Sequence, residues 1–140
     1  MKVIALVISI INALSGLICG ILFIAFPDGR LMGMQGMTDL LSKFPLQTVF
    51  FRNFFWIGIA MLLMLFVPNA VAVFLTFRRS RPRFGAQALA GVCLLAWCLI
   101  EIIYLPNPAV WAYFAVALIH ISCSLLVMRA LRPAADRTGK

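Results

Sequence analysis

Four long apolar runs separated by polar stretches form the pattern of this chain, and they cover residues 3–26, 48–77, 85–105 and 109–128. Each run is close to or longer than the roughly 20 residues with which an α-helix crosses the hydrocarbon core of a bilayer. The pattern therefore predicts an all-α, polytopic membrane protein, in which one domain over residues 1–131 forms a bundle of four transmembrane helices.

The polar stretch between the first two runs opens with Pro27-Asp28-Gly29, whose residue types favour a turn. Over residues 38–44 the apolar and polar side chains follow at helical spacing, which predicts a short helix in the plane of the membrane interface. Three methionines precede this helix, namely Met32, Met34 and Met37. Their flexible thioethers suit either a ligand-contact surface or ordinary packing, and packing is the favoured interpretation.

The second run is longer than a perpendicular crossing needs, so its helix is expected to tilt, to kink or to protrude. Pro68-Asn69 is expected to supply a kink, because proline removes one helical hydrogen bond and clashes with the preceding turn. Arg52 and Asn53 are expected in the first turns of this helix, beside a group of aromatic residues that includes Trp56.

Composition excludes an ordinary soluble domain, since 64% of the residues are hydrophobic, 11% are charged and the mean hydropathy is +1.08. A net charge of +8 is compatible with nucleic-acid binding, but the basic residues cluster beside the apolar runs, where they act as topology signals. We therefore expect the lipid bilayer as a partner, and no nucleic acid.

The basic residues are divided unevenly between the two sides of the predicted bundle. Three of the twelve, Arg30, Lys43 and Arg52, fall on the side of residues 27–47, and the other nine fall on the opposite side. The positive-inside rule therefore predicts cytoplasmic termini and an outer location for 27–47. Residues 132–140 show no apolar pattern and are expected to form a disordered, basic, cytoplasmic tail.

Cysteine and histidine usage argues against a redox or metal function. The four cysteines lie inside the apolar runs without a C-x-x-C pair, so small packing residues are the favoured interpretation. His120 is the one histidine, which leaves too few soft ligands at metal-site spacing, and we predict neither a metal nor a cofactor. His120 is expected to hydrogen-bond in the core, with a proton path to Glu101 as the alternative.

Helix packing is predicted from small and polar residues in the first run. Gly16 and Gly20 form a G-x-x-x-G pair, which either lets another helix approach closely or is an incidental pair of glycines. Asn12 lies near mid-membrane and is expected to hydrogen-bond to a neighbouring helix, because an amide that faces lipid would be unsatisfied. We also expect a homo-oligomer or a subunit of a membrane complex.

The candidate functional site surrounds a carboxylate in the third run. Trp97, Glu101 and Tyr104 are spaced i, i+4 and i+7, so they share one face of the predicted helix, with the acid about one turn below the outer surface. An acid inside a membrane span is costly unless it is paired or protonated, so it gives a functional-site hypothesis. The residues expected to bind a ligand or handle a proton here are Glu101, Arg52, Trp97, Tyr104, Asn53, Trp56 and His120.

Three roles are open for Glu101. An ion pair with Arg52, which is expected at the same depth on the antiparallel second helix, would hold the two helices together and is the favoured role. A ligand-binding or proton-handling carboxylate comes second, and an incidental interfacial acid comes third.

Two short stretches carry a resemblance to a group of proteins. They are Phe26-Pro27-Asp28-Gly29-Arg30-Leu31-Met32-Gly33-Met34 and the W-x-x-x-E of Trp97 and Glu101. On these motifs the chain resembles uncharacterised bacterial four-helix membrane proteins with a P-D-G-x-L-x-G outer loop, which are broadly DoxX-like in layout. The resemblance implies a bacterial inner membrane and no assigned activity. It marks an outer-loop motif of Pro27, Asp28, Gly29 and Gly33.

The sequence favours a non-enzymatic binder or transporter of a small apolar or cationic molecule, at an outward-facing aromatic pocket around Glu101. A structural or assembly subunit of a larger membrane complex is the alternative. A membrane enzyme that acts on a lipid-like substrate is the least favoured class, because the sequence offers no nucleophile–base pair, phosphate loop or paired carboxylates.

Overall fold

The computed structural model describes residues 1–44 and 50–136. Four long helices account for most of them: α1 (Lys2–Ala25), α2 (Phe55–Phe77), α3 (Arg83–Tyr104) and α4 (Ala109–Asp136). Each is long and apolar enough to cross a membrane, and the described residues contain no β-strand. The predicted all-α bundle of four membrane-spanning helices is thereby confirmed. The predicted start of the second span, at 48, and the last part of the predicted tail lie outside the described residues.

The four helices form a closed bundle in which α1 packs against α2 and α4, and α3 packs against the same two helices. Successive helices run antiparallel, because each connection joins two helix termini that lie at the same end of the bundle. One end, which we name the loop end, carries the α1–α2 and α3–α4 connections. The opposite end, named the basic end, carries the start of α1 and the arginine-rich α2–α3 connection.

The outer surface of the bundle is apolar, as α1 shows. Large exposed side chains recur every three or four residues along this helix, at Val3, Val7, Ile11, Leu14, Ile18 and Ile21. Its buried face carries mostly small or polar residues: Ala5, Ser9, Asn12, Ala13, Gly16, Gly20 and Phe23. This arrangement is the reverse of a helix in a soluble protein, and it suits a surface that contacts lipid.

α1 and α2 approach each other closely at three glycines. A Cβ atom at Gly16 would lie 2.8 Å from both the Leu65 Cβ and the Phe66 nitrogen. A Cβ atom at Gly58 would lie 2.7 Å from the Gly20 carbonyl oxygen. The G-x-x-x-G face therefore packs against a helix of the same chain, where small residues permit backbone contact. Because this contact is internal, the expected oligomer stays a prediction.

The proline in α2 produces a local change of helix type. A π-helical turn spans Leu62–Phe66, directly before Pro68. Proline lacks an N–H group and crowds the carbonyl group one turn earlier, and a wider π turn accommodates both effects. Asn69 donates from its Nδ2 to the Leu65 carbonyl oxygen at 2.8 Å. The expected kink thus takes the form of a π turn within one continuous helix.

α2 begins later than the sequence predicts, at Phe55. The Asn53 side chain accepts a hydrogen bond from the Phe55 N–H (3.1 Å), and the Phe54 N–H donates to the Pro27 carbonyl oxygen (2.9 Å). Since these N–H groups have partners outside the helix, Arg52 and Asn53 precede α2 and do not stand in its first turns. The helix has 23 residues, which is close to the length that crosses a bilayer and shorter than the sequence predicts.

The α1–α2 connection folds over the loop end. Gly29 and Gly33 adopt left-handed backbone angles (φ 72° and 66°) on either side of a one-turn 3-10 helix, Arg30–Met32. A second 3-10 helix, Gln35–Lys43, lies where the sequence predicts a helix over 38–44. The element is therefore present, but it starts earlier and is wound more tightly than expected.

The second 3-10 helix packs onto the bundle instead of lying apart from it. Leu41 is 2% exposed, and the Phe44 ring stacks on Phe51 (4.6 Å between centroids) and on Tyr104 (4.5 Å). Stacked aromatic pairs contribute beyond their buried area. The connection is thus held against the end of α3, where it forms a roof over the loop end.

At the basic end, α4 continues to Asp136, past its predicted end at 128 and into the predicted disordered tail. Alanine, leucine and arginine make up most of this extension, and all three favour helix. Arg78, Arg79 and Arg81 are exposed in the turn between α2 and α3.

Candidate ligand-binding cavity

A cavity of 520 Å³ lies between the four helices, in the half of the bundle nearer the loop end. This volume falls within the range of small-molecule sites. The lining residues up to the end of α2 are Asn12, Ser15, Cys19, Phe23, Met32, Gly33, Met34, Met37, Phe54, Ile57, Met61 and Leu65. Those from α3 onward are Leu94, Trp97, Glu101, Leu105, Asn107, Pro108, Ala109 and Tyr113.

One strip of the wall is polar. Asn12, Ser15 and Cys19 are spaced i, i+3 and i+7 on α1, so they share one face, and all three line the cavity. Asn12 is 3% exposed, and its Nδ2 atom has no hydrogen-bond partner among the described residues. The expected hydrogen bond to a neighbouring helix is thus not made by this amide nitrogen, because the side chain lies at the cavity wall.

Glu101 lies in the same wall, nearer the loop end. Its side chain is partly buried, one turn before the end of α3. Trp97 lies one turn below on the same face of α3, and both side chains line the cavity. Cys19 on α1 also lines it, within electrostatic range of the Glu101 carboxyl group. The acid therefore shares the cavity wall with an indole and a thiol.

The predicted ion pair between Arg52 and Glu101 is not formed. In the part of the chain that the structure describes, the ion pair that is present joins Arg30 to Asp28 (3.7 Å), and Arg52 is exposed. The late start of α2 is the reason, because it leaves Arg52 ahead of the helix instead of on its inward face. Glu101 stands in the cavity wall without a basic partner from the described residues.

Methionine and aromatic side chains form most of the remaining wall. The methionines are Met32, Met34, Met37 and Met61, and the aromatic residues are Phe23, Phe54, Trp97 and Tyr113. Thioethers adapt to irregular ligand shapes, and aromatic faces attract cations. The three methionines of the α1–α2 connection, for which the sequence favours packing, thus also form part of a possible ligand-contact surface.

Five of the seven predicted site residues lie away from this lining: Arg52, His120, and the three described next. Tyr104 stacks on Phe44 in the roof. Asn53 is exposed and accepts the hydrogen bond that precedes α2. Trp56 is 39% exposed and packs edge-on against Phe55 (5.7 Å between centroids). The structure therefore separates these side chains from the cavity that Glu101 and Trp97 share.

His120 belongs to a deeper group of polar residues. It is fully buried, and its Nε2 shares a 3.1 Å hydrogen bond with the Ser9 Oγ. The His120 carbonyl oxygen accepts a hydrogen bond from the Ser124 Oγ at 2.8 Å. With a rise of 1.5 Å per residue, His120 lies about 12 Å deeper than Glu101. These contacts fit the expected core histidine, and no hydrogen bond among the described residues joins it to the acid.

The outer-loop motif shapes the roof of the cavity. The Pro27 carbonyl oxygen accepts the Phe54 N–H, and the Asp28 Oδ1 accepts the Arg30 N–H at 3.2 Å. A Cβ atom at Gly29 would lie 3.0 Å from the Phe54 ring, so only glycine fits both the space and the left-handed angle. The motif therefore makes the turn that brings the methionine-rich connection over the cavity.

Sequence reasoning misses several lining residues. Phe23, Met61 and Leu94 are apolar residues in apolar runs, and nothing in the sequence separates them from residues that face lipid. Ser15 and Cys19 carry a usable signal, because with Asn12 they form a polar strip at helical spacing.

Comparisons with protein families, with curated proteins and with solved structures find no match to this chain. A function is therefore inferred from the cavity itself. Its distinguishing features are one carboxyl group without a basic partner among residues 1–44 and 50–136, a polar strip on α1, and walls of thioether and aromatic groups.

Proposed function

We propose that the protein is a non-enzymatic binder or transporter of a small, apolar, cationic molecule. The observation that carries the proposal is Glu101, a carboxyl group in the wall of a 520 Å³ cavity with no ion-pair partner from the described residues. An ionised carboxylate in low dielectric is costly without a partner, and a ligand ammonium group would supply one.

The other walls suit the rest of such a ligand. Trp97 and Tyr113 offer aromatic faces, which contribute roughly 0.5–2 kcal/mol to cation binding. Met32 and Met61 offer flexible apolar surface, which accommodates alkyl chains of different shapes. A hydrophobic amine, protonated at neutral pH, is thus the ligand class that matches the wall.

Binding is favoured over catalysis by the chemistry of the lining. The polar side chains there belong to Glu101, Asn12, Ser15, Cys19, Asn107 and Tyr113, with the Trp97 indole. Such groups orient a ligand, and His120, whose side-chain type serves most often as a general base, lies in a separate group. A role as a structural or assembly subunit would leave the cavity unexplained.

We place the protein in a bacterial inner membrane, with both termini in the cytoplasm and the cavity facing outward. The uneven distribution of basic residues supports this orientation, and the resemblance to bacterial four-helix membrane proteins supports the location. The bilayer is thus its environment, and a homo-oligomer or a larger complex stays a prediction.

The orientation can be tested by cysteine labelling of intact cells, after the four native cysteines are replaced by alanine. Gly36→Cys lies in the exposed α1–α2 connection and should react with a membrane-impermeant maleimide, whereas Ser80→Cys at the basic end should not. Labelling of Ser80→Cys alone, or of both variants equally, would show an inverted or a dual orientation.

The ligand class can be tested with matched probes in lipid nanodiscs. Trp56 and Trp111 are exposed, so replacing both by phenylalanine leaves Trp97 as the one tryptophan and as a fluorescent reporter inside the cavity. We expect octylamine to bind about tenfold more tightly than octanol, because a hydrogen bond to a charged partner contributes more than a neutral one. Free concentrations are to be corrected for partition into the lipid.

Equal affinities of the amine and the alcohol would contradict the cationic part of the proposal. A Trp97 signal that does not change with either probe would contradict ligand binding in the cavity altogether. Turnover of a lipid-like substrate by the purified protein would favour an enzyme instead.

A further inference from the structure

We infer that the ligand of this cavity is bipolar: besides the cationic group at Glu101, it carries a neutral hydrogen-bonding group about 10 Å away, which binds Asn12. This inference rests on the proposed function, and it assigns a second recognition point at the deep end of the same cavity.

Asn12 is an amide with unused hydrogen-bonding capacity. It lines the cavity, is 3% exposed, and its Nδ2 has no partner among the described residues. A buried amide left without a partner is unfavourable, because its desolvation is not compensated by a hydrogen bond. An asparagine that served only to hold helices together would donate its side-chain N–H groups to a neighbouring helix. The Asn12 amide makes no such bond among the described residues, so it can bind a ligand.

Asn69 provides the comparison within the same bundle. It lies on α2 at a similar distance from the loop end, is fully buried, and does not line the cavity. Its Nδ2 donates to the Leu65 carbonyl oxygen at 2.8 Å. The two asparagines therefore differ in that the Asn69 nitrogen is used by the protein and the Asn12 nitrogen is not.

The distance between the two recognition points, Glu101 and Asn12, follows from the polar strip on α1. Cys19 lies within electrostatic range of Glu101, and Asn12 lies seven residues before it on the same helix face. With a rise of 1.5 Å per residue, the two levels are about 10 Å apart. The wall between them is made mainly by apolar side chains, such as Met61 and Leu94. A ligand that reaches both ends thus needs an apolar middle.

A hydroxyl is the neutral ligand group that best suits the Asn12 end of the cavity. An asparagine amide presents an acceptor oxygen and donor hydrogens, and a hydroxyl can both donate and accept. It therefore matches Asn12 whichever way the amide is turned. Ser15, one turn nearer the loop end, gives the same hydroxyl a second neighbour on the polar strip.

The test compares octylamine with aminooctanol, which has the same chain and a hydroxyl at the far end, using the Trp97 reporter in nanodiscs. Wild-type protein should bind aminooctanol about fivefold more tightly than octylamine, as expected for one added hydrogen bond to a buried amide. Asn12→Leu should remove this preference, so that the variant binds the two amines with equal affinity. Asn69→Leu changes the same side chain outside the lining, where the Asn69 Oδ1 also lacks a partner among the described residues, and it should keep the preference.

Equal binding of the two amines by the wild-type protein would overturn the inference without the need for any variant. A preference that survives in a folded Asn12→Leu or Asn12→Ala protein would overturn it as well. If neither amine binds, the proposed function itself fails. If both bind but the hydroxyl adds nothing, only the second recognition point fails.

Discussion

Glu101→Gln is expected to lower the affinity for octylamine about thirtyfold or more, while the protein stays at least as stable as the wild type. Loss of one partner of a buried, hydrogen-bonded charge pair costs about 2–5 kcal/mol of binding free energy, and 2 kcal/mol corresponds to about thirtyfold. In the free protein the acid has no ion-pair partner among the described residues. Glutamine therefore removes a desolvation cost without breaking a native pair.

The measurement combines Trp97 fluorescence titration with thermal unfolding in detergent. Asp39→Asn is the matched control, because it removes an exposed carboxylate at the loop end, outside the cavity lining. Arg52→Gln should change neither quantity, and its effect on the free energy of unfolding should add to that of Glu101→Gln within about 0.5 kcal/mol.

A structural ion pair would give a different pattern. Each single substitution would then destabilise the protein by about 3–5 kcal/mol, and the double variant would recover most of the loss. That result, together with unchanged amine binding in Glu101→Gln, would contradict the proposed function.

Gly16→Ala is expected to lower the free energy of unfolding by about 1–3 kcal/mol, the usual range for overpacking. The added methyl group would lie 2.8 Å from the Phe66 backbone nitrogen, which cannot turn aside as the end of a flexible side chain can. Gly58→Ala should act in the same direction, because its methyl group would meet the Gly20 carbonyl oxygen at 2.7 Å.

Gly85→Ala is the matched control, since it makes the same chemical change inside a membrane helix. A Cβ atom at Gly85 has no neighbour within 4 Å among the described residues. Alanine is the better helix former by roughly 1 kcal/mol, so this variant should be neutral or more stable. Thermal unfolding of all three variants in one detergent is the measurement. Equal destabilisation at Gly16 and Gly85 would show that the glycine contact between α1 and α2 is not tight.

The four membrane helices could be predicted from the sequence because crossing a bilayer is a local property. A run of about 20 apolar residues satisfies its own backbone hydrogen bonds and needs no partner to be stable in lipid. Hydropathy alone thus locates the four spans, and the G-x-x-x-G spacing of Gly16 and Gly20 indicates a close helix contact. The acid at 101 stands out because ionisable residues are rare in membrane spans.

The boundaries next to the long connection could not be predicted in this way. Residues before Phe55 are apolar enough to continue α2, yet the Phe54 N–H donates to Pro27, and the Asn53 side chain accepts from Phe55. The first of these hydrogen bonds joins parts of the chain that are distant in sequence, whereas the second is local. As a result, Arg52 precedes the helix, and it does not form the ion pair with Glu101 that the sequence predicts.

The all-α membrane bundle and the acid within its third span can both be predicted from the order of the residues. The surroundings of this acid depend on how the helices pack. Helix rotation and the fold of the α1–α2 connection brought Asn12, Cys19 and Met34 to the same cavity as Glu101 and turned Tyr104 towards Phe44. Hydropathy measures how well each residue suits an apolar environment compared with water, and both lipid and the protein interior are apolar. Contacts depend on how the helices are rotated against each other, which is a property of the whole bundle.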